Sequence, residues 1–317
     1  MLADSFLALA AFLTLQASAI PGQPVLPLQE LPVARYVAPS QPIPIAKNPA
    51  SVGMEVTARS AAVMDVASGN ILFAKDMDTR YPIASMTKLM TAMIFLDNNH
   101  DLSEEVTVLE EDKSSDGKQI FAPDERLTKK ELLQALLIGS VNEAGNTMAR
   151  VTGGTEQFVK QMNAKSKEMG LRATFTDPTG LSFGNRASSR EVATLLKTAL
   201  GYEGIRAMTT RASITLVGHA TKKPYLIKST NLLLGTYLNK SPYQILGGKT
   251  GSLPEAGFCL VLDTRHDQGG EVITVVMGSE NHFSRFEDAK VLTAWAFENF
   301  IWPSKQAAYF QLAESKR

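Results

Sequence analysis

The sequence predicts an α/β (α+β) fold: an antiparallel sheet flanked by helices, with an inserted all-helical subdomain. Two observations predict it. Strand-like segments stand near both ends of the folded part of the chain, and a helical block opened by two capping boxes lies between them. If the two ends pair into one sheet, the helical block becomes an insertion. The junction of the two parts is then the natural place for a site.

The elements follow in chain order. Phe6 to Leu15 is mostly apolar and too short to span a bilayer, and Ala17-Ser18-Ala19 fits a small-residue cleavage pattern. Residues 1–19 are therefore expected to be an export signal, although the usual early Lys or Arg is missing and the one early charge is Asp4. Eight of the fifteen prolines fall in residues 20–49, a density that excludes a helix or an inner strand. Residues 20–51 read as an extended spacer, and residues 52–305 as one domain. Ala61 to Asp65 and Ile71 to Ala74 read as strands joined at Ser68-Gly69-Asn70. Ser85 to Leu96 reads as a buried helix, with Met86, Leu89, Met90, Met93 and Ile94 at helical spacing. Residues 100–127 are polar and loop-rich. The insert runs from about residue 100 to 205, with capping boxes at Thr128/Glu131 and Ser188/Glu191 opening helices and another helix over Phe158 to Met169. Gly257 to Asp263 and Glu271 to Gly278 read as a hairpin, and Phe283 to Phe300 as a closing amphipathic helix. Residues 306–317 form a short tail.

Composition excludes several function classes. The chain has 317 residues, 44% hydrophobic and 20% charged, with a formal net charge of zero. No basic excess points to nucleic acid. His100, His219, His266 and His282 do not stand at metal-ligand spacing from one another or from Cys259, so neither a metal nor another cofactor is expected. Cys259 lies in an apolar run and reads as a buried strand residue.

Three short motifs carry chemistry. In Ser85-Met86-Thr87-Lys88 the i, i+3 spacing puts Lys88 on the same helix face as Ser85. A serine hydroxyl needs a base to take its proton, and a lysine serves if burial or a neighbouring cation lowers its pKa. At a helix N-terminus, free N–H groups and the dipole favour an oxyanion. The second motif is Ser140-Val141-Asn142, expected at the end of the helix that begins near Thr128. The third is Lys249-Thr250-Gly251-Ser252, just ahead of a predicted strand; Lys249 adds a second cation, and Gly251 would let a substrate backbone approach the strand edge. Singly these motifs are weak. Ser115-Asp116-Gly117-Lys118 repeats the first, and Ser68-Gly69-Asn70, Ser229-Thr230-Asn231 and Ser279-Glu280-Asn281 repeat the second. Only the set 85/88, 140/142, 249/251 has the chain order together with the local structure; Ser229 satisfies the order but stands outside the helical block.

These residues, with Pro82-Ile83-Ala84 before them, Asp177-Pro178-Thr179-Gly180-Leu181 between them and Ala256-Gly257-Phe258-Cys259-Leu260 after them, resemble the D-alanyl-D-alanine carboxypeptidases and endopeptidases, the low-molecular-weight penicillin-binding proteins. The resemblance runs from about residue 56 to 302 and looks closest to the shorter endopeptidase-type members. It implies a β-lactamase/transpeptidase-like fold, peptidoglycan stem peptides as substrate, β-lactams as covalent inhibitors, and a periplasmic or cell-wall location. Ser85 then resembles the acylated serine and Lys88 its general base. Ser140 and Asn142 resemble the proton-relay and amide contacts, and Lys249 and Thr250 the contacts to the substrate's carboxylate side. The backbone N–H groups of Ser85 and Ser252 resemble the oxyanion hole. Arg285 matches an arginine proposed to hold a terminal carboxylate; a surface arginine at a helix N-terminus is the other reading. Val141 departs from the smaller or polar residue common there and is expected to reshape the cleft beside Asn142. Many relatives carry a further β-rich domain and an amphipathic anchor after Pro303, for which Gln306 to Arg317 is too short; this favours a cross-link endopeptidase by analogy.

Three other readings compete. A class A β-lactamase needs a Glu-x-x-Leu-Asn element, and Leu238-Asn239 has Gly235 where the Glu would stand. A P-loop would need glycine where Tyr243 stands. A non-catalytic wall- or penicillin-binding module would keep the fold and lose turnover, against which stand Ser85, Lys88 and Lys249.

Overall fold

A computed structural model of the chain describes residues 43–306, apart from residues 52, 100 and 115–118 and the side chain of Glu203. The expected export signal, residues 20–42 of the expected spacer, the alternative motif at Ser115–Lys118 and residues 307–317 of the expected tail lie outside the described residues.

Five strands make the main sheet: β1 (Ser60–Asp65), β2 (Ile71–Lys75), β3 (Tyr243–Leu253), β4 (Gly257–His266) and β5 (Glu271–Ser279). Their spatial order is β3-β4-β5-β1-β2, antiparallel throughout. The strands from the two ends of the chain meet where β5 pairs with β1, so the expected sheet forms. Its antiparallel hairpins need only short turns, such as Asp65 to Asn70, where the Asp65 carboxylate accepts from the Ser68 N–H at 2.8 Å.

Among the described residues seven α-helices accompany the sheet: α1 (Lys88–Asn98), α2 (Lys129–Ile138), α3 (Asn142–Val151), α4 (Thr155–Glu168), α5 (Ser189–Ala199), α6 (Glu203–Thr209) and α7 (Ser284–Asn299). Both expected capping boxes form: Thr128 and Glu131 exchange bonds at the start of α2, and Ser188 and Glu191 at the start of α5. The inserted block is mainly helical, and two short antiparallel ribbons accompany it: Glu105–Val108 with Glu125–Thr128 inside the expected bounds, and Ser213–Val217 with Pro224–Lys228 beyond their end near residue 205. The first falls in the stretch expected to be loop.

The sheet is covered on both faces, so its strands read as near-continuous apolar runs rather than alternating ones. Successive side chains still point to opposite faces. On β4, Cys259 and Val261 face a core shared with Met86, Leu89, Met90 and Met93, while Leu260 and Leu262 face Phe286, Leu292 and Trp295 of α7. Each fully buried side chain of this size is worth about 1.5–3 kcal/mol, and the sheet is held between α5 on one face and α7 on the other.

One expected boundary moves. Residues 43–51 were assigned to the spacer, yet Ile45–Ala46 pairs antiparallel with Phe300–Ile301, and the Lys47 N–H donates to the Asn299 carbonyl at 2.8 Å. Pro44 and Pro49 bracket this pair, where an edge strand tolerates proline.

Candidate active site

The nucleophile turn is built from constrained backbone. Residues Ala84–Thr87 form one 3-10 turn leading into α1. Ala84 stands at φ +47°, a left-handed conformation that costs a non-glycine residue on the order of 1–3 kcal/mol. Two glycines press on it. A Cβ on Gly180 would come within 2.0 Å of the Ala84 carbonyl oxygen, and one on Gly251 within 2.8 Å of the Ile83 oxygen and 3.2 Å of the Ser85 nitrogen. Gly251 therefore admits the chain's own nucleophile turn, a close approach that the sequence did not announce.

Lys88 is fully buried, and its Nζ lies 2.8 Å from Ser85 Oγ, 2.7 Å from Asn142 Oδ1 and 2.7 Å from the Thr179 carbonyl oxygen. Burial pushes its pKa down to about 7, partly opposed by the negative charge of Asp177. A neutral amine has two N–H groups and one lone pair. Asn142 Oδ1 and the Thr179 carbonyl accept both hydrogens, which leaves the lone pair for the Ser85 O–H. The Thr179 carbonyl is held by its own loop: Asp177 Oδ1 accepts from the N–H groups of Thr179 and Gly180 at 2.6 and 2.7 Å, and Oδ2 from that of Ser182 at 2.8 Å. Asn185 Nδ2 ties the loop to Thr87 Oγ1 at 3.0 Å.

The motif starts at the end of α2, as expected, but Asn142 already belongs to the next helix. Ser140 stands between α2 and α3 at φ +60°, and Asn142 is the first residue of α3. The left-handed residue redirects the chain so that Ser140 lines the cleft while Val141 is buried in the core. Val141 thus packs away from the cleft rather than reshaping it.

Lys249 stands ahead of the expected strand β4, as predicted, and itself lies inside β3. Its buried Nζ donates to Ser140 Oγ at 2.8 Å and to the Thr250 carbonyl at 3.1 Å. Burial lowers its pKa well below the ordinary lysine value, and the positive charges of Lys88 and Arg285 add to the shift.

Arg285 is buried, which overturns the surface reading. Nη1 donates to the Gly251 carbonyl at 3.1 Å, Nη2 lies 3.1 Å from His282 Nδ1, and the guanidinium stands 4.8 Å from the Phe286 ring centroid. Burial lowers its pKa. Among the described residues no carboxylate forms a salt bridge with it.

Ser85, Ser140, Thr250, Gly251, Ser252 and Arg285 line one cavity of about 300 Å³, together with Thr230, Leu232 and His282. Lys88, Asn142 and Lys249 border it through the hydrogen bonds above. A larger cavity of about 430 Å³, lined by His266, Phe297, Trp302 and Lys305 among others, carries none of the motif residues. The decoys separate as well: Ser68 is tied into its hairpin turn and Ser279 Oγ donates to Asp288.

The family profile described as D-alanyl-D-alanine carboxypeptidase matches residues 45–281. The chain belongs to that family. This peptidase is 34% identical over 251 residues to D-alanyl-D-alanine carboxypeptidase DacF of Bacillus subtilis, covering 77% of the chain and 63%, under two thirds, of that relative's length. It is 32% identical over 270 residues to a D-alanyl-D-alanine endopeptidase of Pseudomonas aeruginosa, covering 84% of each. Its fold matches penicillin-binding protein D2 of Listeria monocytogenes in a cefotaxime-bound form, with a TM-score of 0.67, 26% identity, and coverage of 78% of this chain and 100% of the other.

Sequence reasoning missed the Thr179 carbonyl, Thr230, Leu232 and His282. For Thr230 a signal existed, since it sits in the Ser229-Thr230-Asn231 repeat of the second motif. A backbone carbonyl leaves no such trace.

Proposed function

We propose that this peptidase is a serine D,D-peptidase that cleaves D-Ala-containing peptidoglycan stem peptides through an ester on Ser85. The carrying observation is the contact set of Lys88, whose lone pair, in the neutral form, has the Ser85 O–H as its partner. Ser85 Oγ attacks the carbonyl carbon of the penultimate D-Ala as its proton passes to Lys88 Nζ. The backbone N–H groups of Ser85 and Ser252 are read as donors to the oxyanion. Collapse of the tetrahedral species breaks the peptide bond, and the leaving nitrogen takes a proton relayed through Ser140 Oγ, which Lys249 holds. Water then hydrolyses the ester. Thr250, Lys249 and Arg285 are read as the contacts to the carboxylate side of the substrate.

A β-lactam opens on the same serine, but its leaving nitrogen stays tethered, so the ester persists unless water is activated. The β-lactamase reading lacks support: Gly235 supplies no carboxylate, and Asn239 spends its side chain on its own loop, donating to the Leu234 carbonyl and accepting from the Ile245 N–H. The relative named endopeptidase, matched over most of its length, supports cleavage of cross-links at least as efficient as that of terminal D-Ala–D-Ala. A wall substrate also supports an exported protein, in keeping with the apolar segment and cleavage pattern before residue 20; among the described residues no helix is long and apolar enough to cross a membrane.

Labelling with a fluorescent penicillin tests the assignment. It should vanish in Ser85→Ala and persist in Ser115→Ala; retained labelling of Ser85→Ala would sink it. Mass spectrometry of products from muropeptide monomers and cross-linked dimers decides the bond: trimmed pentapeptides beside untouched dimers would make the enzyme a plain carboxypeptidase.

A further inference from the structure

The Ser229-Thr230-Asn231 segment repeats a motif of the site without taking its place, and the structure gives it other work. Thr230 Oγ1 lies 2.6 Å from Thr250 Oγ1, and both residues line the cleft with Ser85 and Arg285. Among the described residues neither hydroxyl has another side-chain or backbone partner. The segment is firmly held. The Thr230 N–H donates to the Ile138 carbonyl at 3.2 Å, at the end of α2, and the Ser229 N–H to the Ala212 carbonyl at 2.8 Å. The Asn231 N–H donates to Ser229 Oγ at 3.1 Å, and the Leu233 N–H to Asn231 Oδ1 at 3.1 Å.

Two hydroxyls share two hydrogens. In the structure the Thr250 hydroxyl donates this bond and the Thr230 oxygen accepts it. A carboxylate at Thr250 accepts only, so it draws the Thr250 hydrogen toward itself; the bond between the threonines then survives only if Thr230 donates to Thr250. A hydroxyl that accepts one hydrogen bond donates a stronger one. We propose that Thr230 is a positioning residue that turns the Thr250 hydroxyl toward the substrate carboxylate and strengthens its donation. This rests on the reading of Thr250 as a contact to the carboxylate side of the substrate.

Thr230→Val keeps the shape and removes the hydroxyl, while Thr230→Ser keeps the hydroxyl. With a D-Ala–D-Ala pentapeptide as substrate, Thr230→Val should raise KM about three- to tenfold, the range of one net hydrogen bond, with kcat within about twofold. Thr230→Ser should restore KM, and melting temperatures of the variants should agree if folding is intact. Thr250→Val should raise KM at least as much, and Thr230→Val added to Thr250→Val should change nothing further, because Thr230 acts through Thr250. An unchanged KM in Thr230→Val beside a raised one in Thr250→Val overturns the proposal. So does a full additional loss in the double variant, which would mean that Thr230 touches substrate directly. An unchanged KM in Thr250→Val instead overturns the reading of Thr250 on which the proposal stands.

Discussion

Lys88 and Lys249 border the same cleft, both are buried, and burial lowers the pKa of each. Their surroundings differ. Lys88 comes from the helical side and meets two carbonyl oxygens besides the nucleophile. Lys249 comes from the sheet and meets one hydroxyl and a carbonyl of its own strand. Lys88 feels the negative charge of Asp177, whereas Lys249 feels the positive charges of Lys88 and Arg285. Burial alone therefore does not make a base. What separates the two is the arrangement of acceptors, which directs the lone pair of one lysine at Ser85 and leaves the other as a donor to Ser140.

The largest effect should come from testing that difference directly. Guanidinium does not give up its proton at working pH, so Lys88→Arg should lose penicillin acylation by about a thousandfold, within the range that general base catalysis supplies. Lys249→Arg keeps an N–H donor to Ser140 and should stay within about tenfold; equal losses in stopped-flow acylation would erase the contrast. Next comes Arg285→Ala. A charge-assisted bond is worth about 1.5–3 kcal/mol, so cleavage of terminal D-Ala–D-Ala should fall roughly tenfold to a hundredfold and cross-link cleavage less. An equal fall in both would make Arg285 structural.

The pH dependence sharpens the assignment of the base. Only neutral Lys88 can accept the proton, so the acylation rate should be flat above about 7 and fall about tenfold per pH unit below it. The same shift also acts on stability. Between about 7 and the ordinary lysine value of 10.5 the unfolded chain binds a proton that folded Lys88 lacks. Stability therefore rises with pH across that window, by at most about 1.4 kcal/mol per unit. In thermal melts the wild type should gain on Lys88→Met between pH 7 and pH 10; parallel curves would mean that Lys88 stays charged in the fold.

The parts of the fold that the sequence announced were those written in local side-chain chemistry. Thr128/Glu131 and Ser188/Glu191 each satisfy two backbone donors within four residues, so their boxes were readable without tertiary context. Helix α3 was not, because Ala144-Gly145-Asn146 interrupts a short apolar pattern with a poor helix former. The full extent of β3 was hidden by Gly247, Gly248 and Gly251, which weaken a strand signal. The site divides in the same way. Ser85 and Lys88 are one helical turn apart, and their spacing states their contact. Thr179 reaches Lys88 through a backbone oxygen 91 positions away, and Arg285 became distinguishable from a surface arginine only through its burial against Phe286 and Gly251.

The packing of Ala84 between Gly180 and Gly251 reaches beyond catalysis to what evolution can vary. None of the three bears a reactive group, and none would be chosen in a search for catalytic side chains. Yet the nucleophile turn sets the size of both glycines, because a single added methyl at Gly180 or Gly251 lands on the backbone that carries Ser85. In a library of all single substitutions screened for penicillin labelling, these three positions should tolerate as few replacements as the serine itself, whereas Ser252, whose proposed contribution is a backbone donor, should accept many. The pattern of forbidden substitutions would then trace the mould around the nucleophile, not only the groups that react.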